Sequence, residues 1–150
     1  MDPEVAYKYY FKGCELGVSE FCWNAGLMCV YNRLNMRNAQ DYHKGLELLD
    51  KGCKRNDHLC CYYIRSLYMT GIKEPNIQKD MNKARRYSEK GCELGNIHAC
   101  VNVSQMYQRG DGVAKDDEKG EMHKKRALEL QDELVKQQQT LTFQQGAKPG

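Results

Sequence analysis

The chain has 150 residues, 41% of them hydrophobic, and a net charge of +3 spread along its length. That is enough for one compact domain or a short repeat array, without the basic block that would mark a nucleic-acid binder. No stretch approaches the roughly 18 apolar residues of a membrane helix. Eight cysteines argue for an oxidising compartment. Met1-Asp2-Pro3-Glu4-Val5-Ala6 lacks the basic start and apolar run of a secretory signal, and it carries acid where a matrix presequence would carry Arg and Ser. Two locations fit: the mitochondrial intermembrane space, or an exported protein whose signal has been removed.

In chain order, Asp2-Pro3-Glu4 predicts a helix start, with Asp as cap, Pro at the first helical position and Glu at the positive end of the dipole. The predicted helix over 4–15 carries Val5, Tyr9 and Phe11 and ends in Lys12-Gly13-Cys14-Glu15-Leu16-Gly17, with Cys22 after it. The same signature returns as Lys51-Gly52-Cys53-Lys54-Arg55-Asn56 before Cys61, and as Lys90-Gly91-Cys92-Glu93-Leu94-Gly95 before Cys100. The step is 39 residues each time, and within each copy the two cysteines stand eight positions apart. A fixed period of this size means stacked units rather than one globular core.

Each signature closes a helix and precedes another, with Gly or Asn supplying the backbone angles of the turn. The periodicity predicts helices over about 19–31 and 39–53, then 57–70 and 80–92, then 97–109 and 117–138. Trp23 and Leu27 line one helix, Leu46 and Leu49 the next. Gly71 to Asn76 reads as a Pro/Gly turn, and Asp116 as the cap of the last helix. In that helix Leu128, Leu130, Leu134 and Val135 form an apolar stripe and Lys124, Lys125, Arg126, Glu129, Asp132 and Glu133 a wet face, as a terminal cap requires. The organisation is thus a partial unit over 2–17, repeats over about 18–56, 57–95 and 96–138, and a flexible tail over 139–150. The first helix stands in the place of a second helix whose partner is missing, so either the natural chain begins earlier or this end shows an uncovered apolar edge.

A buried helical cysteine is ordinarily a small hydrophobe. Three pairs at identical spacing, each between the end of one helix and the first turns of the next, instead predict the disulfides Cys14–Cys22, Cys53–Cys61 and Cys92–Cys100. Closing such short loops contributes about 2–2.5 kcal/mol apiece by the loop-entropy model. Cys29 and Cys60 fall outside the period, on the first helices of adjacent units. For them a fourth, inter-unit disulfide, buried thiols, or a thiolate that holds haem, copper or a client cysteine all remain open.

The run from Ala99 through Val103-Ser104 and Tyr107 to Gly110-Asp111-Gly112-Val113 resembles the Sel-1-like repeat, whose pattern sets a small residue, Leu-Gly, Tyr and Gly at these places. Cys60, Ile64-Arg65, Tyr68 and Gly71 fill them in the middle unit, and Phe21, Ala25-Gly26, Cys29 and Asn32 in the first. Arg65 replaces the packing glycine, and Cys29 and Cys60 take the Tyr and small-residue places. The cysteine pairs make the chain similar to the cysteine-rich, beta-lactamase Hcp-like branch. Within it the chain resembles the mitochondrial assembly factors of cytochrome c oxidase, though with less repeat at its N-terminus. The resemblance implies an all-α solenoid of antiparallel helix pairs, of the tetratricopeptide type. It also implies an intermembrane-space location, import through the disulfide relay there, and a role in assembling respiratory complex IV through its subunits or assembly intermediates.

Catalysis finds little support in the sequence. A serine acylase of the beta-lactamase kind needs Ser with Lys three residues on. Ser19, Ser66, Ser88 and Ser104 are followed at that distance by Cys22, Met69, Gly91 and Tyr107. There is no Cys-x-x-Cys, and His43, His58, His98 and His123 do not follow the period. Two readings follow. In the first the chain is a binding scaffold, with Asn24, Asn102 and Gln105 exposed on the first helices. In the second it is a thiol-based redox, haem or copper handler acting through Cys29 and Cys60.

Overall fold

The computed structural model describes residues 2–30, 39–72 and 76–146. They form helices α1 (Pro3–Glu15), α2 (Ser19–Val30), α3 (Ala39–Lys54), α4 (His58–Thr70), α5 (Met81–Glu93), α6 (Ile97–Arg109) and α7 (Asp117–Gly146). Neighbours in sequence are neighbours in space, and α2 with α3, α4 with α5 and α6 with α7 make the largest pairings. The chain is an all-α solenoid of helix pairs, as the period requires. Among the described residues the only β-type pairing is the bridge between Ile72 and Ile77, each amide donating to the other's carbonyl at 2.8 Å. Pro75 and Asn32, both expected in turns, lie outside the described residues.

Helix starts are chemically specified. The Oδ1 atoms of Asp57, Asp80, Asn96 and Asp116 accept from backbone amides two or three residues on, at 2.9–3.3 Å. These side chains satisfy donors that the first turn leaves orphaned.

The repeated signature also specifies how a helix ends. Gly17, Asn56 and Gly95 have φ of 102°, 70° and 97°, a left-handed conformation that glycine adopts freely and asparagine tolerates. At each turn the carbonyl of the signature glycine accepts the closing bond: Val18 N to Gly13 O, Asp57 N to Gly52 O and Asn96 N to Gly91 O, at 2.9–3.0 Å. The same glycines admit the following helix. A methyl on Gly52 would lie 2.4 Å from Cys60 Sγ, one on Gly91 3.1 Å from the Ala99 methyl, and one on Gly13 inside the Phe21 ring. Phe21, Cys60 and Ala99 are the small-residue places of the repeat pattern, so this single approach sets the spacing at every turn.

The core follows the stack. Leu49, Cys53, Cys60, Cys61 and Ile64 are buried together, with Trp23, Tyr63, Tyr68 and Leu94 packed on them. Cys14, Cys22, Ala25 and Cys29 form the preceding cluster, and Cys92, Ala99, Cys100 and Ala127 the following one.

Two departures from the expected pattern stand out. Arg65, in a place where Gly26 allows α2 and α3 close together, is 8% exposed. It folds back along α4: its guanidinium lies 4.4 Å from the Tyr62 ring centroid, and Nη2 donates to Ser66 Oγ at 2.8 Å. The second departure is α7, which does not end near residue 138. It runs on to Gly146, eight residues into the expected tail, while the last four residues lie outside those described. Nor is its apolar stripe one buried face. Ala127 and Leu130 pack on α6, whereas Leu128, Leu134 and Val135 are exposed.

Gly52→Ala is expected to destabilise the fold by about 1–3 kcal/mol, the usual cost of overpacking, read by chemical denaturation. The Gly52→Ala/Cys60→Ala double variant should recover part of that loss, because Ala99 already sits opposite Gly91 in this way.

Candidate functional site

Three disulfides run down the stack. Cys14–Cys22, Cys53–Cys61 and Cys92–Cys100 hold Cα atoms 4.6, 4.7 and 4.5 Å apart. Each ties the last turn of one pair to the first turn of the next. All six cysteines are buried, which makes these bonds structural elements of the interface between pairs.

Cys29 and Cys60 are buried thiols outside those bonds. Both back on α3: Cys29 Cβ lies over Gly45 and Cys60 Sγ over Gly52. Seven residues of helix separate the two glycines, about 10 Å of rise, whereas a disulfide needs Cα atoms within roughly 7 Å. The structure therefore keeps two thiols where a fourth bond was one expectation. Burial pushes the Cys60 pKa up, and the Asp57 carboxylate beside it pushes the same way. A thiolate, the form that attacks disulfides or binds metals, is disfavoured there. Among the described residues no three His, Cys, Asp or Glu side chains stand together as a metal-holding group.

The other candidates serve the packing. Ser88 donates to Ala84 O at 2.8 Å, Ser104 to Gly120 O at 2.7 Å, and Ser66 to Tyr62 O at 3.4 Å. His58 Nδ1 meets the Asn96 amide at 3.0 Å, His98 packs near Tyr62, and His123 stacks on Tyr107 at 5.6 Å. His43 is exposed. Two tyrosines tie helices across the stack: Tyr87 OH donates to Asp50 at 2.8 Å and Tyr107 OH to Glu89 at 2.6 Å. Burial first, then the Asp50 bond, raises the Tyr87 pKa, and the Glu89 bond is the main cause of the rise at Tyr107. Of the three polar residues expected on the first helices, Gln105 is exposed while Asn24 and Asn102 are half-buried.

The ends of the stack are its distinctive surfaces. Leu94 packs on the Cys53–Cys61 cluster and Leu130 on the Cys92–Cys100 cluster. At the same place in the period, Arg55 donates through Nη1 to the Cys14 carbonyl. Leu16, the fourth such residue, is 76% exposed, and Val5 and Tyr9 beside it on α1 are also exposed.

The far end holds a feature that sequence reasoning missed. Arg126-Ala127-Leu128-Glu129-Leu130-Gln131 in α7 is a fourth, cysteine-free copy of the signature, with Leu130 packing as Leu94 does. Its signal was present in the Glu-Leu pair shared with Glu93-Leu94, masked by a loop three residues shorter and by the absent cysteine. Gln131 stands where Gly95 turns the chain, so the helix continues.

The profile of the Sel1 repeat matches residues 2–18, 19–57, 59–96 and 97–132, the last segment taking in this fourth copy. The chain belongs to the Sel1 repeat family. It is 38% identical, over 97% of its length, to cytochrome c oxidase assembly factor 7 homolog of Drosophila melanogaster. It is 40% identical over 87% to cytochrome c oxidase assembly factor 7A of Xenopus laevis, and 38% over 95% to the factor 7 of Homo sapiens. It spans less than two thirds of these relatives: 65%, 56% and 62% of their lengths, respectively. Among solved structures it is similar to Helicobacter pylori cysteine rich protein B, with a TM-score of 0.62 and 28% identity over 86% of this chain and 88% of that one. A Sel1 repeat protein of Oxalobacter formigenes shares the fold, with a TM-score of 0.67 and 22% identity over 86% of this chain and 50% of its own.

Two measurements check the thiol assignment. Alkylation under denaturing, non-reducing conditions should label Cys29 and Cys60 and no other cysteine, with all eight labelled only after reduction. The pH dependence of stability has a definite sign. A group whose pKa is raised by folding keeps its proton longer in the native state, so stability falls once pH exceeds the unfolded value. The fall should begin near the ordinary thiol value of 9.0, and Cys60→Ala should remove its earliest part while leaving the later loss from Tyr87 and Tyr107. Denaturation midpoints between about pH 7 and 11 read this directly.

Proposed function

We propose that this chain is a non-catalytic scaffold that supports assembly of mitochondrial respiratory complex IV by holding complex IV subunits or assembly intermediates. It works in the intermembrane space, where the disulfide relay inserts its three bonds during import. The observation that carries this reading is the combination of a disulfide-tied stack with 38–40% identity to relatives named cytochrome c oxidase assembly factor 7. An oxidised stack fits a compartment with disulfide-forming machinery. Serine hydroxyls bound to helix carbonyls, and thiols held in the core, fit a protein that acts by binding.

The alternative, thiol-based handling of haem or copper through Cys29 and Cys60, requires the helices around α3 to separate first. Among the described residues, no three His, Cys, Asp or Glu side chains stand together there as a metal-holding group. Addition of haem or copper(I) with a Cys29→Ala/Cys60→Ala comparison distinguishes the readings, since a thiol-dependent absorption band would favour the alternative.

Removing the protein from its own cells is expected to lower assembled complex IV on native gels while the other respiratory complexes persist. The protein itself should be protease-protected until the outer membrane is opened. Unchanged complex IV would overturn the assignment.

A further inference from the structure

The stack defines its own interface. At each internal junction, the outer face of a helix pair is covered by the first helix of the next pair. Trp23 meets Tyr63 at 5.7 Å and Tyr62 meets His98 at 6.0 Å. Gly52 receives Cys60, and Gly91 receives Ala99. After α6 and α7 the same face stays open. Val101, which follows Trp23 and Tyr62 in the period, is 39% exposed, and Leu128, at the place of Cys53 and Cys92, is 57% exposed. Between them runs a groove of about 330 Å³ whose floor includes Ile97 and Ala127 and whose wall includes Lys124 and Gln131.

We propose that this groove receives one amphipathic helix of a partner protein, in the position a further first helix of the stack would take, with an acidic residue set against Lys124. Three observations fix the occupant. The groove continues two interfaces already filled by single helices of 13 residues, α4 and α6. The fourth signature has lost its cysteine and its turn, so the occupant is neither covalently tied nor supplied by a turn at Gln131. Lys124 takes the place of Leu49 and Ser88, both fully buried, and is exposed with no ion pair among the described residues. A lone cation in an apolar groove selects an acid on the incoming face.

The overlong helix extends the same wall. Lys124, Leu128, Gln131 and Val135 share one face of α7 by helical spacing. Residues 131–144 are exposed throughout. An unsupported helical end of this length is marginal in water. It becomes worthwhile when a second helix lies along it.

The inference rests on the scaffold reading only in that the chain works by holding another protein. The test reads the groove in the purified full chain, so its failure leaves the complex IV experiment untouched. Two fluorescent, stapled helical peptides of residues 96–109 serve as probes, both with Cys100→Ala, one also with Val103→Glu. Position 103 is equivalent to Ile64, which clusters with Leu49, so the new acid should face Lys124. The acidic peptide is expected to bind at least tenfold more tightly than the apolar one. Lys124→Glu should reverse that preference, and Leu128→Glu should abolish both, while Tyr9→Ala at the opposite end changes nothing. Unchanged circular dichroism and two alkylatable thiols establish that each variant is folded. The proposal is overturned if neither peptide binds below millimolar concentration, or if binding ignores Lys124. It is equally overturned if light scattering shows a dimer that Leu128→Glu dissolves, which would give the groove to a second copy.

Discussion

Everything in this molecule depends on how closely a helix can approach the turn before it. The glycine of the Lys-Gly-Cys signature has two roles at once. Its missing side chain makes room for Phe21, Cys60 or Ala99 of the next helix, and its carbonyl accepts the bond that closes the turn. A left-handed residue four positions on redirects the chain, and the neighbouring cysteine locks the result. None of these parts suffices alone. Without the close approach, the two cysteines of a pair would not meet at the 4.5–4.7 Å Cα separations seen. Without the turn there would be no second helix for them to reach.

That economy explains why so small a stack needs disulfides. Each pair buries a thin apolar layer, and much of it is cysteine and alanine rather than leucine. Small residues permit tight stacking but remove little apolar area from water per residue. Cross-links supply what the core lacks by restricting the unfolded chain. Side-chain ties such as Tyr87 to Asp50 and Arg55 to the Cys14 carbonyl then set how one layer sits on the next. The buried thiols belong to the same logic. Cys60 occupies the small-residue place above Gly52, its sulfur 2.4 Å from where a methyl on that glycine would lie.

The period carried the helices and the three bonds openly because each is a local rule, Gly or Asn after a helix and cysteines eight apart, and of the caps it made Asp2 and Asp116 legible. What stayed hidden was relational. Nothing in the residues around Arg65 announces that its guanidinium would fold over Tyr62 instead of crossing to α5. The separation of Cys29 and Cys60 along α3 depends on which turn of that helix each meets, and no spacing encodes it. The end of α7 was misjudged because Gln-rich sequence reads as solvated, and solvated is easily taken for unfolded. The stretch Gln139-Thr140-Leu141-Thr142-Phe143-Gln144-Gln145 nonetheless holds no Gly or Pro that would stop a helix.

The way the repeat stops is therefore informative about what it is for. A solenoid can be closed by a helix whose outer face is wholly polar. This one keeps Val101, Ala127 and Leu128 on the stacking face, sets Lys124 among them, and drops the turn and the cysteine. Ala127 retains the small residue that a close approach needs, and Leu128 puts apolar surface where a sulfur would have bonded. Losing the left-handed residue costs a compact cap and leaves a helix of 30 residues, about half of it beyond the packing surface. Leu128, Leu134, Val135 and Phe143 are instead 57%, 46%, 43% and 77% exposed, apolar surface that a wholly polar cap would not carry. Their presence on the single helix that outruns the stack is what separates a closed end from a reversible one.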